Sequence, residues 1–185
     1  MILRQACKSP FRMRTPCGQP TSGNSWKWQV SLVTTSLAAR TFLVQSWLTV
    51  RTLEARIRMN TGPMLYSFIP HATRFAAVPE SLLLVFAMSV VEKSLDCLRA
   101  EGRFSSSKRG LHDLMKASKS FIPWQNYDWI DDVRLRRNRV AHHQALLEHG
   151  QCERDLQFIS LELLAWGILD EDPKIEFTVT FQPGA

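Results

Sequence analysis

Acidic residues are almost missing from the first third of this 185-residue chain: positions 1–58 hold nine Lys or Arg and one carboxylate, Glu54. The remainder is slightly acidic, so the net charge of +6 belongs to the N-terminal third. Closely spaced cysteines are missing too. Cys7, Cys17, Cys97 and Cys152 form no C-x-x-C pair and lie too far apart for a compact zinc knuckle, so they suit a reduced compartment better than a secreted disulfide framework, and no metal site is expected from them. The longest apolar run, Leu82 to Val91, is broken by Ser89 and is about half the ~20 residues a bilayer requires. No membrane span is expected, and a cytoplasmic location is. With only 8 Gly and 9 Pro the chain is neither collagen-like nor low-complexity; at 45% hydrophobic and 22% charged it has enough apolar side chain for one core.

Residues 1–58 are rich in Arg, Ser and Thr, and no helical or strand period in them lasts long enough to specify a buried face. Three readings stay open. The stretch has the composition of an organelle transit peptide; the chain could equally be started too far upstream, since Met59 and Met64 stand just before the first orderly sequence; or a basic arm binds nucleic acid non-specifically, releasing counterions from phosphates. The expected division is a poorly ordered basic extension over 1–58 and a helical domain over 59–185, with its core helices at about 79–170.

From Pro79 the sequence becomes periodic. Pro79 and Glu80 suit a helix start, and the apolar run through Val91, Leu95 and Leu98 is apolar all round in its first half, as in the central helix of a bundle. Leu111, Leu114, Met115, Phe121 and Ile122 mark a second helix stopped by Pro123. A third is expected from Tyr127 to His149, with Asp128, Asp131 and Asp132 near its positive end and Gly150 as its C-terminal cap. Leu156, Ile159, Leu163 and Trp166 mark a fourth, ending near Asp170. Short connections make an all-α, antiparallel four-helix up-and-down bundle the economical fold. Strict alternation over Ile175–Phe181 adds a C-terminal strand, whose partner could lie around Met64 to Ile69 or in another chain.

The segment Arg134-Leu135-Arg136-Arg137-Asn138-Arg139-Val140-Ala141-His142-His143 carries the chemistry. Projected at about 100° per residue, Ile130, Val133, Val140, Ala141 and Leu147 share one apolar arc. Arg137 falls inside that arc, and a guanidinium there requires an anion, from this chain, a second subunit or a substrate. Asn138 and His142, four residues apart, sit together at the arc's edge, with Arg134 between them and the core. Arg136, Arg139, Asp132 and His143 fall on the opposite, solvated arc. Leu135 and Leu146 lie outside the core arc beside His142, as a homodimer contact would.

Arg137-Asn138 with His142 makes an R-N-x-x-x-H pattern, and over residues 79–170 the chain resembles the HEPN superfamily (higher eukaryotes and prokaryotes nucleotide-binding domains). The resemblance implies a helical bundle acting as a metal-independent endoribonuclease, usually a homodimer whose motif helices build a composite site, without a cofactor. Arg137, Asn138 and His142 would be its catalytic residues. RNA cleavage by 2′-hydroxyl attack needs a proton carrier near neutrality, which His142 supplies, and a cation for the phosphorane oxygens, which Arg137 supplies. Arg134, Arg136 and Arg139 are candidate phosphate contacts, against the alternative of a solvated helix face. Trp124, Tyr127 and Trp129 are candidates for base stacking or for packing. From the family alone come a role as a toxin or defence effector and an antitoxin or nucleotidyltransferase partner. The competing readings are a non-catalytic dimerisation or nucleotide-binding module on the same bundle, and a structural Arg137 paired with Glu92 or Asp96.

Overall fold

A computed structural model describes residues 25–60, 72–148, 150–173 and 175. All regular structure among these residues is helical: α1 Ser25–Asn60, α2 Ala72–Ala100, α3 Leu111–Ser118, α4 Tyr127–His143 and α5 Gln151–Ala165. The fold is all-α to that extent. The alternating segment beyond Ile175 and its suggested partner around Met64 to Ile69 lie outside the described residues, as do Cys7 and Cys17. No helix among the described residues is long and apolar enough to cross a membrane.

α2 is central, packing against each of the other four helices, while α4 and α5 also pack on each other. Its sequence dictates this: Leu84, Ala87, Met88, Val91, Leu95 and Leu98 are fully buried, with Leu83 and Val90 nearly so, which takes more than one face of the helix. Pro79 lies inside α2 and not at its start. Its missing N–H removes one bond of the ladder, which the helix tolerates.

α1 departs most from expectation. Within the stretch expected to lack a buried face, Leu43, Trp47 and Val50 join the core and Glu54 is buried below them. Steps of four, three and four residues form a narrow helical stripe. Apolar neighbours around the circumference, Phe42, Val44 and Leu53, mask that stripe in sequence and stay exposed in the fold. Each core side chain contributes about 1.5–3 kcal/mol by leaving water. Polar clamps add direction: both oxygens of Glu101 receive Arg40 at 2.9 Å, and Asp172 accepts Trp47 Nε1 at 3.2 Å.

α3 stops at Ser118, short of Ile122, and in the turn that follows the Ser118 carbonyl accepts the N–H groups of both Phe121 and Ile122, at 2.9 and 3.1 Å. Ile122 is buried all the same. α4 ends at His143 and does not continue to His149. In a longer helix the Leu147 N–H would bond the carbonyl of His143; instead it donates to the buried Ser81 Oγ at 3.1 Å, which draws the segment against α2. Gln144 takes the left-handed conformation at the cap, φ 53°, and the N–H of Ala145 after it returns to the Arg139 carbonyl at 3.3 Å. Gly150, expected to close α4, opens α5 with φ 73°, where a side chain would be strained.

Candidate functional site in the motif helix

Two acids on the apolar face of α5 position α4. Asp155 and Glu162 share the face of Leu156, Ile159 and Leu163, and all five are buried. Glu162 accepts the backbone N–H groups of Gln125, at 3.1 Å to each oxygen, and of Asn126, just before the first turn of α4. A carboxylate there favours the positive helix end. Burial pushes its pKa above the ordinary glutamate value, and these N–H donors pull it partly back.

Asp155 holds the middle of α4. It accepts Arg136 Nε at 3.0 Å and Nη2 at 2.7 Å, Trp129 Nε1 at 3.3 Å and Gln151 Nε2 at 2.8 Å. Arg136 therefore does not stand on a solvated arc: most of its fork is engaged inside the fold. Trp129 packs on Phe158 at 4.5 Å between ring centres, and Arg136 lies over the Trp129 ring. Trp124 meets Tyr127 and Trp166 edge-on, at 5.0 and 4.7 Å, and donates to Ser118 Oγ. These aromatic side chains serve packing. Arg134 donates from Nε to Asp131 Oδ1 at 2.7 Å.

α4 thus has two buried faces, where the projection showed one. Ile130 and Val133 are fully buried and Val140 half-buried, while Trp129 and Arg136 face α5. Arg137 is half-buried, and among the described residues it has no carboxylate partner: neither Glu92 nor Asp96 takes its fork, and Asp96 is bonded to Arg99 instead. Arg137 Nη1 donates to Asn138 Oδ1 at 3.1 Å, and its Nε is buried without a hydrogen bond.

Beside this pair an open groove of about 650 Å³ is lined by Asp132, Leu135, Asn138, Arg139, His142 and His143, with Arg136 as a further wall. Asn138 and His142 therefore reach one solvent-accessible space, together with Arg139; Arg137 lies outside that lining and touches it through Asn138. Arg139 and Arg136 also border a smaller groove of about 290 Å³ against Leu146, Leu147 and Gln151. The exposed imidazole of His142 can exchange protons with a bound molecule, the exposed guanidinium of Arg139 can pair with a phosphate, and Asn138 can orient either. Among the described residues no three His, Cys, Asp or Glu side chains are grouped to hold a metal ion.

Projection missed Asp155 and Glu162, although a signal was there. Two acids seven residues apart on one apolar helix face must each find a partner. No family model, curated protein or solved structure matches this chain.

Proposed function

We propose that the protein is a metal-independent endoribonuclease of HEPN type, built on α2 to α5 as an antiparallel bundle and acting as a homodimer. Arg137, Asn138 and His142 form its catalytic set. The observation that carries this reading is the shared groove: Asn138 and His142 open on one space, and the Arg137 guanidinium holds the Asn138 carboxamide at 3.1 Å.

In the proposed reaction His142 removes the proton of a ribose 2′-hydroxyl. The freed oxygen attacks the adjacent phosphorus, the bond to the 5′-oxygen breaks, and the products carry a 2′,3′-cyclic phosphate and a 5′-hydroxyl. The leaving oxygen takes its proton from a second acid, which a second subunit supplies with its own motif. Arg139 in the groove holds the phosphate, and Arg137, through Asn138, stabilises charge growing on the phosphorane. The exposed Leu135 and Leu146 give the second copy an apolar contact. In this reading the cellular substrate is RNA and the role that of a toxin or defence effector, held in check by an antitoxin or nucleotidyltransferase partner.

A second reading, a non-catalytic dimerisation or nucleotide-binding module, is favoured by one observation: among the described residues no side chain orients the His142 ring by a hydrogen bond. His142→Ala separates the two. Loss of RNA cleavage in the presence of EDTA, with unchanged circular dichroism and oligomeric mass, supports the enzyme; undiminished cleavage refutes it.

A further inference from the structure

A separate groove of about 530 Å³, sharing no lining residue with the one at His142, opens where α2 ends. Arg99, Arg103, Ser105, Ser106 and Phe121 line it, and no carboxylate does. Three hydrogen bonds set its guanidinium groups. Arg99 donates to Asp96 Oδ1 at 2.8 Å and to the Lys108 carbonyl at 3.1 Å, and Arg103 donates from Nη1 to the Trp166 carbonyl at 3.1 Å. Among the described residues Arg103 has no acidic partner and stays exposed.

Between Arg99 and Phe121 the chain carries six Lys or Arg and two acids. Glu101 is occupied by Arg40 and Asp113 by Lys108, while Arg109 and Lys116 are exposed and without an ion pair among the described residues. Phe121, on the wall of the groove, is 66% exposed. The Ser118 carbonyl fixes its backbone, and no other aromatic ring among the described residues packs on it. Guanidinium groups and hydroxyls are phosphate and sugar ligands, and an uncovered ring is a platform for a base.

We propose that this groove binds single-stranded nucleic acid, with one base stacked on Phe121 and the flanking phosphates on Arg99 and Arg103. A phosphopeptide would use the guanidinium groups but leave the ring idle, so the exposed aromatic decides between the two. The binding does not depend on cleavage at His142.

Full-length protein carrying His142→Ala, titrated into fluorescein-labelled decauridylate and followed by anisotropy over a range of salt, tests this. Phe121→Ala and Phe121→Leu should each weaken binding about tenfold, the cost of one lost stack, while Phe121→Tyr binds as the parent does. Because Arg103 also anchors a backbone carbonyl, thermal melting accompanies its variant. Arg103→Gln should lower the slope of log affinity against log salt by about 0.7, one phosphate contact. Equal binding by the Phe121→Leu protein overturns the proposal. So does an absence of binding by the parent, affinity lost only with Arg139→Ala, or displacement of the oligonucleotide by an equimolar phosphoserine peptide.

Discussion

Arg136 crosses from α4 to α5 and grips Asp155 through two hydrogen bonds of 3.0 and 2.7 Å, although Asp155 is wholly buried. The pair fixes the roll of the motif helix, because Asn138 and Arg139 follow Arg136 within one turn. Removing one member of a buried pair leaves the other charge without compensation. Asp155→Ala should therefore cost about 3–5 kcal/mol in urea unfolding, whereas Arg136→Met with Asp155→Leu should cost much less. A loss below about 1 kcal/mol for Asp155→Ala would mean that water already shares the pair.

The core role of α1 predicts a large effect from a residue far from the motif. Trp47→Ala should destabilise the fold by about 3–5 kcal/mol, and a chain begun at Met59 should melt well below the full chain or aggregate. Equal melting temperatures for the two chains would show that α1 is dispensable.

Under the proposed function, Arg137 and Asn138 act as a unit. Arg137→Ala and Asn138→Ala should each lower the cleavage rate by about 10²–10³, and the double variant should be scarcely slower than the worse single one. Multiplying losses would mean that the 3.1 Å contact carries no coupling.

Buried glutamates set a pH dependence. Glu54 is held above the ordinary glutamate value by burial, with Arg51 and Arg58 pulling the other way, and Glu162 is raised likewise. Their folded forms bind protons more tightly than the unfolded chain does. This contribution to stability is complete below the ordinary glutamate value and is lost as pH rises through the raised folded values. Urea titrations at stepped pH should show a smaller fall for Glu54→Gln than for the parent, and parallel curves would contradict the assignment.

Cys97 and Cys152 are both free and buried, and burial raises both thiols, Cys152 far above the usual range. Neither should react with iodoacetamide while the protein is folded, and both should react in urea. Peptide mass mapping reads this directly; rapid native labelling of Cys152 would reveal an opening of α5 away from α2.

Two residues of the groove were legible from spacing alone. His142 and Asn138 were expected on one edge of a helix and line one groove, because residues four apart share a face whatever the helix packs against. Arg137, expected inside the apolar arc with an anion to meet it, is half-buried, and among the described residues Asn138 and no carboxylate meets it. The engagement of Arg136 was not legible. A projection anchored on Ile130 and Val133 finds the face toward α2, and a second buried face becomes visible only once α5 is laid beside it.

The amino-acid order by itself determined the helical character of residues 79–100, 111–118, 127–143 and 151–165 and, for α4, the face of Ile130 and Val133, since apolar period and turn residues act within a few positions. Tertiary structure decided three things: that α1 belongs to the core, that α4 stops at His143, and which arginines remain open to solvent. Each depends on partners distant along the chain: the core that Leu43, Trp47 and Val50 join, Ser81 for the Leu147 N–H and Asp155 for Arg136; burial gives a polar group no alternative to the partner that folding brings to it.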